Sequence, residues 1–152
     1  MPQALIIYHT ETTDTKLLAE KIKQRLEDLG AQVTTSQDKD FKDFETIRDY
    51  DIIALGASCL NCKKCHLPEE CRSAKHLRRN MKKLFKMNLE DKKLITFANS
   101  TDPEKNQWVR ERIETLAAPT KVKLIASISY MGKPQDNLDQ TLRTTITEKT
   151  IK

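Results

Sequence analysis

A chain of 152 residues, 38% hydrophobic and 32% charged, has the size and balance of one globular domain spanning residues 1–152. Its three glycines, Gly30, Gly56 and Gly132, lie far apart, which excludes phosphate loops of the Walker or dinucleotide type. A net charge of +5 is too small to argue for nucleic acid, and no stretch interleaves aromatic with basic residues. No apolar run approaches the roughly 20 residues of a membrane helix, and the first residues lack the charged and apolar regions of a signal peptide. Neither nucleic acid nor membrane is expected as a partner, and the expected location is cytoplasmic.

Residues 4–8, Ala-Leu-Ile-Ile-Tyr, form a continuous apolar run that predicts a strand buried on both faces. After polar residues 9–14, Leu17, Leu18, Ile22, Leu26 and Leu29 recur at helical spacing, with Gly30 placed as the C-cap. Residues 31–35 predict a short second strand. Phe41, Phe44 and Ile47 mark one face of a short helix within 37–50. Residues 50–56 read as a third strand, apolar throughout its core, and the only four cysteines follow it directly. A basic helix is predicted over 68–87 with the stripe Ala74, Leu77, Met81, Leu84 and Phe85. Residues 93–98 are a fourth strand. Pro103 then opens a helix lined by Trp108, Val109, Ile113 and Leu116, which places Trp108 in the core. Residues 122–130 make a fifth strand, and Leu138, Leu142 and Ile146 mark a last helix.

Strict strand–helix alternation argues for a parallel sheet covered by helices on both faces. Five strands in a chain of this length predict an α/β three-layer sandwich of flavodoxin-like order 2-1-3-4-5, with ligands at the carboxyl ends of strands 1 and 3.

Cys59, Cys62, Cys65 and Cys71 have the form C-x₂-C-x₂-C-x₅-C. So compact a cluster in a cytosolic chain binds a metal more readily than it staples a fold. Two successive C-x₂-C steps wrap the chain round one centre, which suits a 4Fe-4S cluster. A structural zinc site more often uses two separated knuckles, yet four thiolates also suit zinc. Free or redox-active thiols are the third possibility. His66 could replace one cysteine.

The stretch from Tyr8 to Ala19 resembles the phosphate loop of the flavodoxins. That family's pattern is Thr/Ser-x-Thr-Gly-Asn-Thr directly after strand 1; here Thr10, Thr12 and Thr15 match its hydroxyl positions, with Thr13 and Asp14 at its Gly and Asn positions. The resemblance extends by element order over nearly the whole chain and includes the run at 50–56. It implies FMN as a cofactor, its phosphate against Thr10, Thr12, Thr13 and Thr15. Ser58, after strand 3, and Asn99, after strand 4, would open the loops that flank the ring. The cysteine spacing is similar to the compact motif of the iron–sulfur flavoproteins, which bind FMN and a 4Fe-4S cluster on the same fold. The implied function is electron transfer between redox partners, with no catalytic acid, base or nucleophile required. The alternative is a non-catalytic binding module with a structural zinc site and no flavin.

Segment 63–93 holds eleven Lys and Arg against four Asp and Glu, an excess of +7. It is either a solvated face or a docking surface for an acidic redox protein such as a ferredoxin. His9, between strand 1 and the first loop, reads as loop packing rather than as a ligand contact, and His76 reads as solvated. The loop after strand 4 has no aromatic to stack on a ring; Tyr130 is the nearest substitute.

Overall fold

The structure is a computed structural model that describes residues 1–9, 13–58, 75–131 and 137–152. Its strands are β1 (Gln3–His9), β2 (Gln32–Gln37), β3 (Ile52–Ala57), β4 (Lys93–Asn99) and β5 (Lys123–Tyr130). The helices are α1 (Thr13–Asp28), α2 (Lys75–Leu84), α3 (Pro103–Ala117), α4 (Asn137–Thr145) and a short α5 (Glu148–Ile151). All pairings are parallel and the sheet order is β2-β1-β3-β4-β5, as predicted.

β3 is buried at all six positions and β4 at all but its first. Strands with no solvent face must be apolar throughout, which is why these read as runs rather than alternations. One face packs Ile6, Ile52, Ile95 and Phe97 against Leu18, Ile22 and Leu26 of α1 and Leu138 and Leu142 of α4. The other packs Leu5, Ile7, Ile53 and Leu55 against Leu77, Met81 and Leu84 of α2 and Val109, Ile113 and Ala117 of α3. The result is helix, sheet, helix.

Gly30 and Pro103 take the places at helix ends that the sequence predicts. Gly30 takes a left-handed φ of 92°, and the N–H of Ala31 donates to Leu26 O at 3.0 Å, closing α1. Asp102 caps α3, accepting from the N–H groups of Glu104 and Lys105, with Pro103 in the first turn.

Three expectations are corrected. The helix within 37–50 is a 3₁₀ turn at Phe44–Asp49; it buries Ile47, while Phe41 and Phe44 pack edge to face at 5.0 Å beside it. Trp108 is not core. The buried side of α3 is Asn106, Val109, Ile113 and Ala117, and Trp108, 100° round the helix from Val109, is 38% exposed. Lys92 does not belong to the basic surface: it is buried, and its Nζ donates to Arg48 O at 3.2 Å and Tyr50 O at 2.5 Å, closing the end of the 3₁₀ turn.

Candidate functional site

The strand order reverses direction between β1 and β3, and in open parallel sheets that switch point is where the carboxyl ends leave a crevice. His9, the last residue of β1, pairs with Ala57, the last of β3. The two chain segments leaving these strands therefore set out side by side. One reaches α1 after only three residues, 10–12. The other, through buried Ser58, leads into 59–74 and then α2. A helix N-terminus so close to a strand end aims backbone N–H groups at the crevice.

Thr10, Thr12, Cys59, Cys62, Cys65 and Cys71 lie outside the described residues, as does the side chain of Thr13. The remaining site residues from the sequence are Thr15, Ser58 and Asn99, all buried. The structure brings two of them together: Thr15 Oγ1 donates to Asn99 Oδ1 at 3.4 Å. Asn99 Nδ2 in turn donates to Tyr130 O at 3.3 Å. Asn106 of α3 donates to the same carbonyl at 3.3 Å and to Ser100 O at 3.1 Å, while Ser100 Oγ donates back to Asn106 Oδ1 at 2.7 Å. This network fastens α1, β4, β5 and the start of α3 at one level of the edge.

A second network lies across the crevice. His9 Nδ1 donates to Asp38 Oδ2 at 3.0 Å, both residues being buried. Asp38 Oδ1 accepts from the N–H of Lys39 at 2.9 Å, and its carbonyl accepts from Asn80 of α2 at 2.8 Å. The packing role read for His9 is thus a specific one: it joins β1, β2 and α2. Asp38 and Asn80 were missed in the sequence. Asp38 carried a usable signal, because it follows β2, and parallel pairing with β1 puts it at the level of His9.

Tyr8, beside His9, has its phenol pushed above the ordinary tyrosine value, first by burial and then by the carboxylate of Glu20. At the opposite edge Lys93 is held below the ordinary lysine value by burial and by Lys123. Tyr130 is buried, so its ring does not lie open to a stacking partner. The connection from β4 to α3, residues 100–102, is short, and Ser100 and Asp102 are both engaged in holding α3. Among the described residues no cluster of three or more His, Cys, Asp or Glu is arranged to hold a metal ion. No helix among them is long and apolar enough to cross a membrane.

No family model and no curated protein sequence matches the chain. Solved structures do. A flavodoxin of Streptococcus pneumonia TIGR4 superposes with a TM-score of 0.75 at 14% identity, over 98% of this chain and 94% of that one. A short-chain flavodoxin associated with a non-canonical PDU bacterial microcompartment gives 0.77 at 17% identity, over 99% and 97%. The two-electron reduced flavodoxin of Megasphaera elsdenii gives 0.69 at 17% identity, over 88% and 89%. What the chain shares with them at these identities is the flavodoxin-like fold.

Proposed function

We propose that this chain is an electron-transfer protein that binds FMN at the β1–α1 loop and a 4Fe-4S cluster through Cys59, Cys62, Cys65 and Cys71, and that it passes electrons between redox partners. One observation carries the reading: the pairing of His9 with Ala57. It starts the threonine-rich loop and the cysteine segment from neighbouring strand ends at the switch point. The likeness to flavodoxins supports the flavin, and the run of four cysteines in thirteen residues supports the cluster.

The closeness of the N-terminus of α1 to the end of β1, three residues apart, supports a phosphate at this edge. When bound, FMN supplies one- and two-electron steps and the cluster one-electron steps. The work of the chain itself is positioning. The two polar networks hold the strand ends at fixed levels, and His9, Ser58 and Asn99 at those ends are buried. A docking site for an acidic redox protein such as a ferredoxin, on the basic segment 63–93, completes the reading.

One observation favours the alternative of a binding module with zinc and no flavin: residues 100–102 offer no aromatic for a flavin ring. Anaerobic purification followed by iron, acid-labile sulfide, zinc and flavin analysis separates the two. Iron and sulfide in equal amount together with FMN are expected. Zinc without iron or flavin would overturn the electron-transfer reading.

A further inference from the structure

Helices α2 and α3 pack side by side on one face of the sheet, and between them runs an open groove of about 470 Å³. Its apolar floor is Met81 and Phe85 on one side and Leu116 on the other. Its rim is cationic: Lys75, Arg79 and Lys82 from α2 face Arg112 from α3. None of these four cations is in an ion pair among the described residues. Helix α2 itself, KHLRRNMKKL, contains no acid at all.

Solvation alone would explain scattered lysines, but not this arrangement. The cations here ring an apolar floor, and Leu116 is 39% exposed at the groove wall. Trp108, one turn before Arg112 and two before Leu116, continues the same column of α3 into solvent. Large apolar side chains exposed in a row beside unpaired charges mark an interaction surface.

The spacing selects the occupant. Lys75, Arg79 and Lys82 stand at i, i+4 and i+7 on one face of α2 and so span about 10 Å along it. A compact anion cannot meet all three, whereas carboxylates at the same spacing on a facing helix can. The floor needs apolar anchors, which such a helix supplies from its neighbouring positions. A nucleic acid would present phosphates to the rim but no aliphatic anchors for a floor made of Met81, Phe85 and Leu116.

We infer that the groove between α2 and α3 receives an acidic amphipathic helix of a partner protein. This deepens the partner reading given above and rests on it: α2 emerges directly from the cysteine segment, so a helix seated here lies against the element that the cluster would anchor.

The test uses the full chain and three probes. The first is a helical peptide of about 15 residues with leucines on one face and glutamates flanking them at i, i+4 and i+7. The second is its scrambled isomer, and the third is a single-stranded oligonucleotide of equal charge. Trp108, the only tryptophan, reports binding through its fluorescence. The amphipathic peptide should bind, and bind less tightly as salt rises. The double variant Arg79→Glu/Lys82→Glu should weaken it by about tenfold, and Leu116→Gln should weaken it at unchanged salt dependence. All three positions are exposed, so circular dichroism should remain that of the wild type. Equal binding of the scrambled peptide, tighter binding of the oligonucleotide, or no effect of the double variant would overturn the inference. Iron content is measured in parallel: a protein that binds the peptide but holds no iron keeps the groove and loses the redox reading.

Discussion

Gly56 packs so closely against an aromatic ring that a single methyl group tests the contact. Gly56 pairs with Phe97 across β3 and β4, and the ring of Phe97 is fully buried. A Cβ built on Gly56 would overlap three atoms of that ring, Cγ, Cδ2 and Cε2. The backbone of Gly56 is not left-handed, so its requirement is for space, not for conformation. Overpacking of this kind costs about 1–3 kcal/mol. For a domain near 150 residues, at about 2–4 °C per kcal/mol, Gly56→Ala should lower Tm by about 2–12 °C. Phe97→Leu alone should also destabilise, by about 1–2 kcal/mol, through the cavity it leaves. In the double variant the added methyl occupies part of that cavity, so the two losses should fall short of their sum by about 1 kcal/mol or more. Urea unfolding followed by circular dichroism measures each corner of the cycle, with an unchanged m-value as the control. Additive losses, or a neutral Gly56→Ala, would refute the contact as the cause.

Further outcomes are expected. Cys→Ser at Cys59, Cys62, Cys65 or Cys71 should sharply lower iron content with little change in circular dichroism, because β3 and α2 bury their own apolar residues; unfolding of the whole domain would instead mark a structural metal of the zinc-finger kind. Thr12→Val should weaken FMN binding by about tenfold if its hydroxyl meets the phosphate. Thr15→Val should in addition destabilise the apoprotein by about 1 kcal/mol, because it removes the bond to Asn99. Lys92→Met should cost about 1–3 kcal/mol in urea unfolding through loss of its two carbonyl contacts, whereas Lys82→Met should stay within about 0.5 kcal/mol. Tyr8 ionises later in the folded than in the unfolded chain, since its pKa is raised. Its contribution is therefore full below the unfolded value of about 10 and is lost as pH rises through the folded value. Urea midpoints across this alkaline range should fall less steeply in Tyr8→Phe than in the wild type.

Elements buried on both sides were legible in the sequence because burial leaves them no polar positions: β1, β3 and β4 read directly as apolar runs. Edge strand β2, QVTTSQ, is largely solvent-facing. Its limits at Gln32 and Gln37 come from pairing with β1 rather than from hydrophobicity, so the sequence placed it early, at 31–35. The face of α3 was misread for a related reason. Asn106 is fully buried, and its amide is satisfied by Ser100 and Tyr130, so the true inner column begins with a polar residue. The apolar Trp108 and Leu116 are exposed instead, and Leu116 lines the groove. Lys92 carried no local mark that separates it from its neighbour Lys93; only the carbonyls at the end of the 3₁₀ turn, more than forty residues away, give it a buried role. Of the candidate site, its level in the fold, at the carboxyl ends of β1 and β3, was legible. The bond between Thr15 and Asn99 was not, because it spans 84 residues.

The two polar networks at the carboxyl edge divide it in a way that bears on function. His9, Asp38 and Asn80 bind β1, β2 and α2 together. Thr15, Asn99, Ser100, Asn106 and the carbonyl of Tyr130 bind α1, β4, α3 and β5 together. Every group named in the first is buried, and so are Thr15, Asn99 and Asn106 in the second, and buried polar groups held by several partners resist rearrangement. Between the networks lies the β1–β3 junction, from which residues 10–12 and 59–74 depart. A ligand bound there would break neither network. The strand ends that frame this junction are held by those networks, which lowers the cost of receiving a ligand there. Under the proposed function, such an edge would hold a redox centre at a constant distance from α2, as passing electrons to a partner seated on that helix requires.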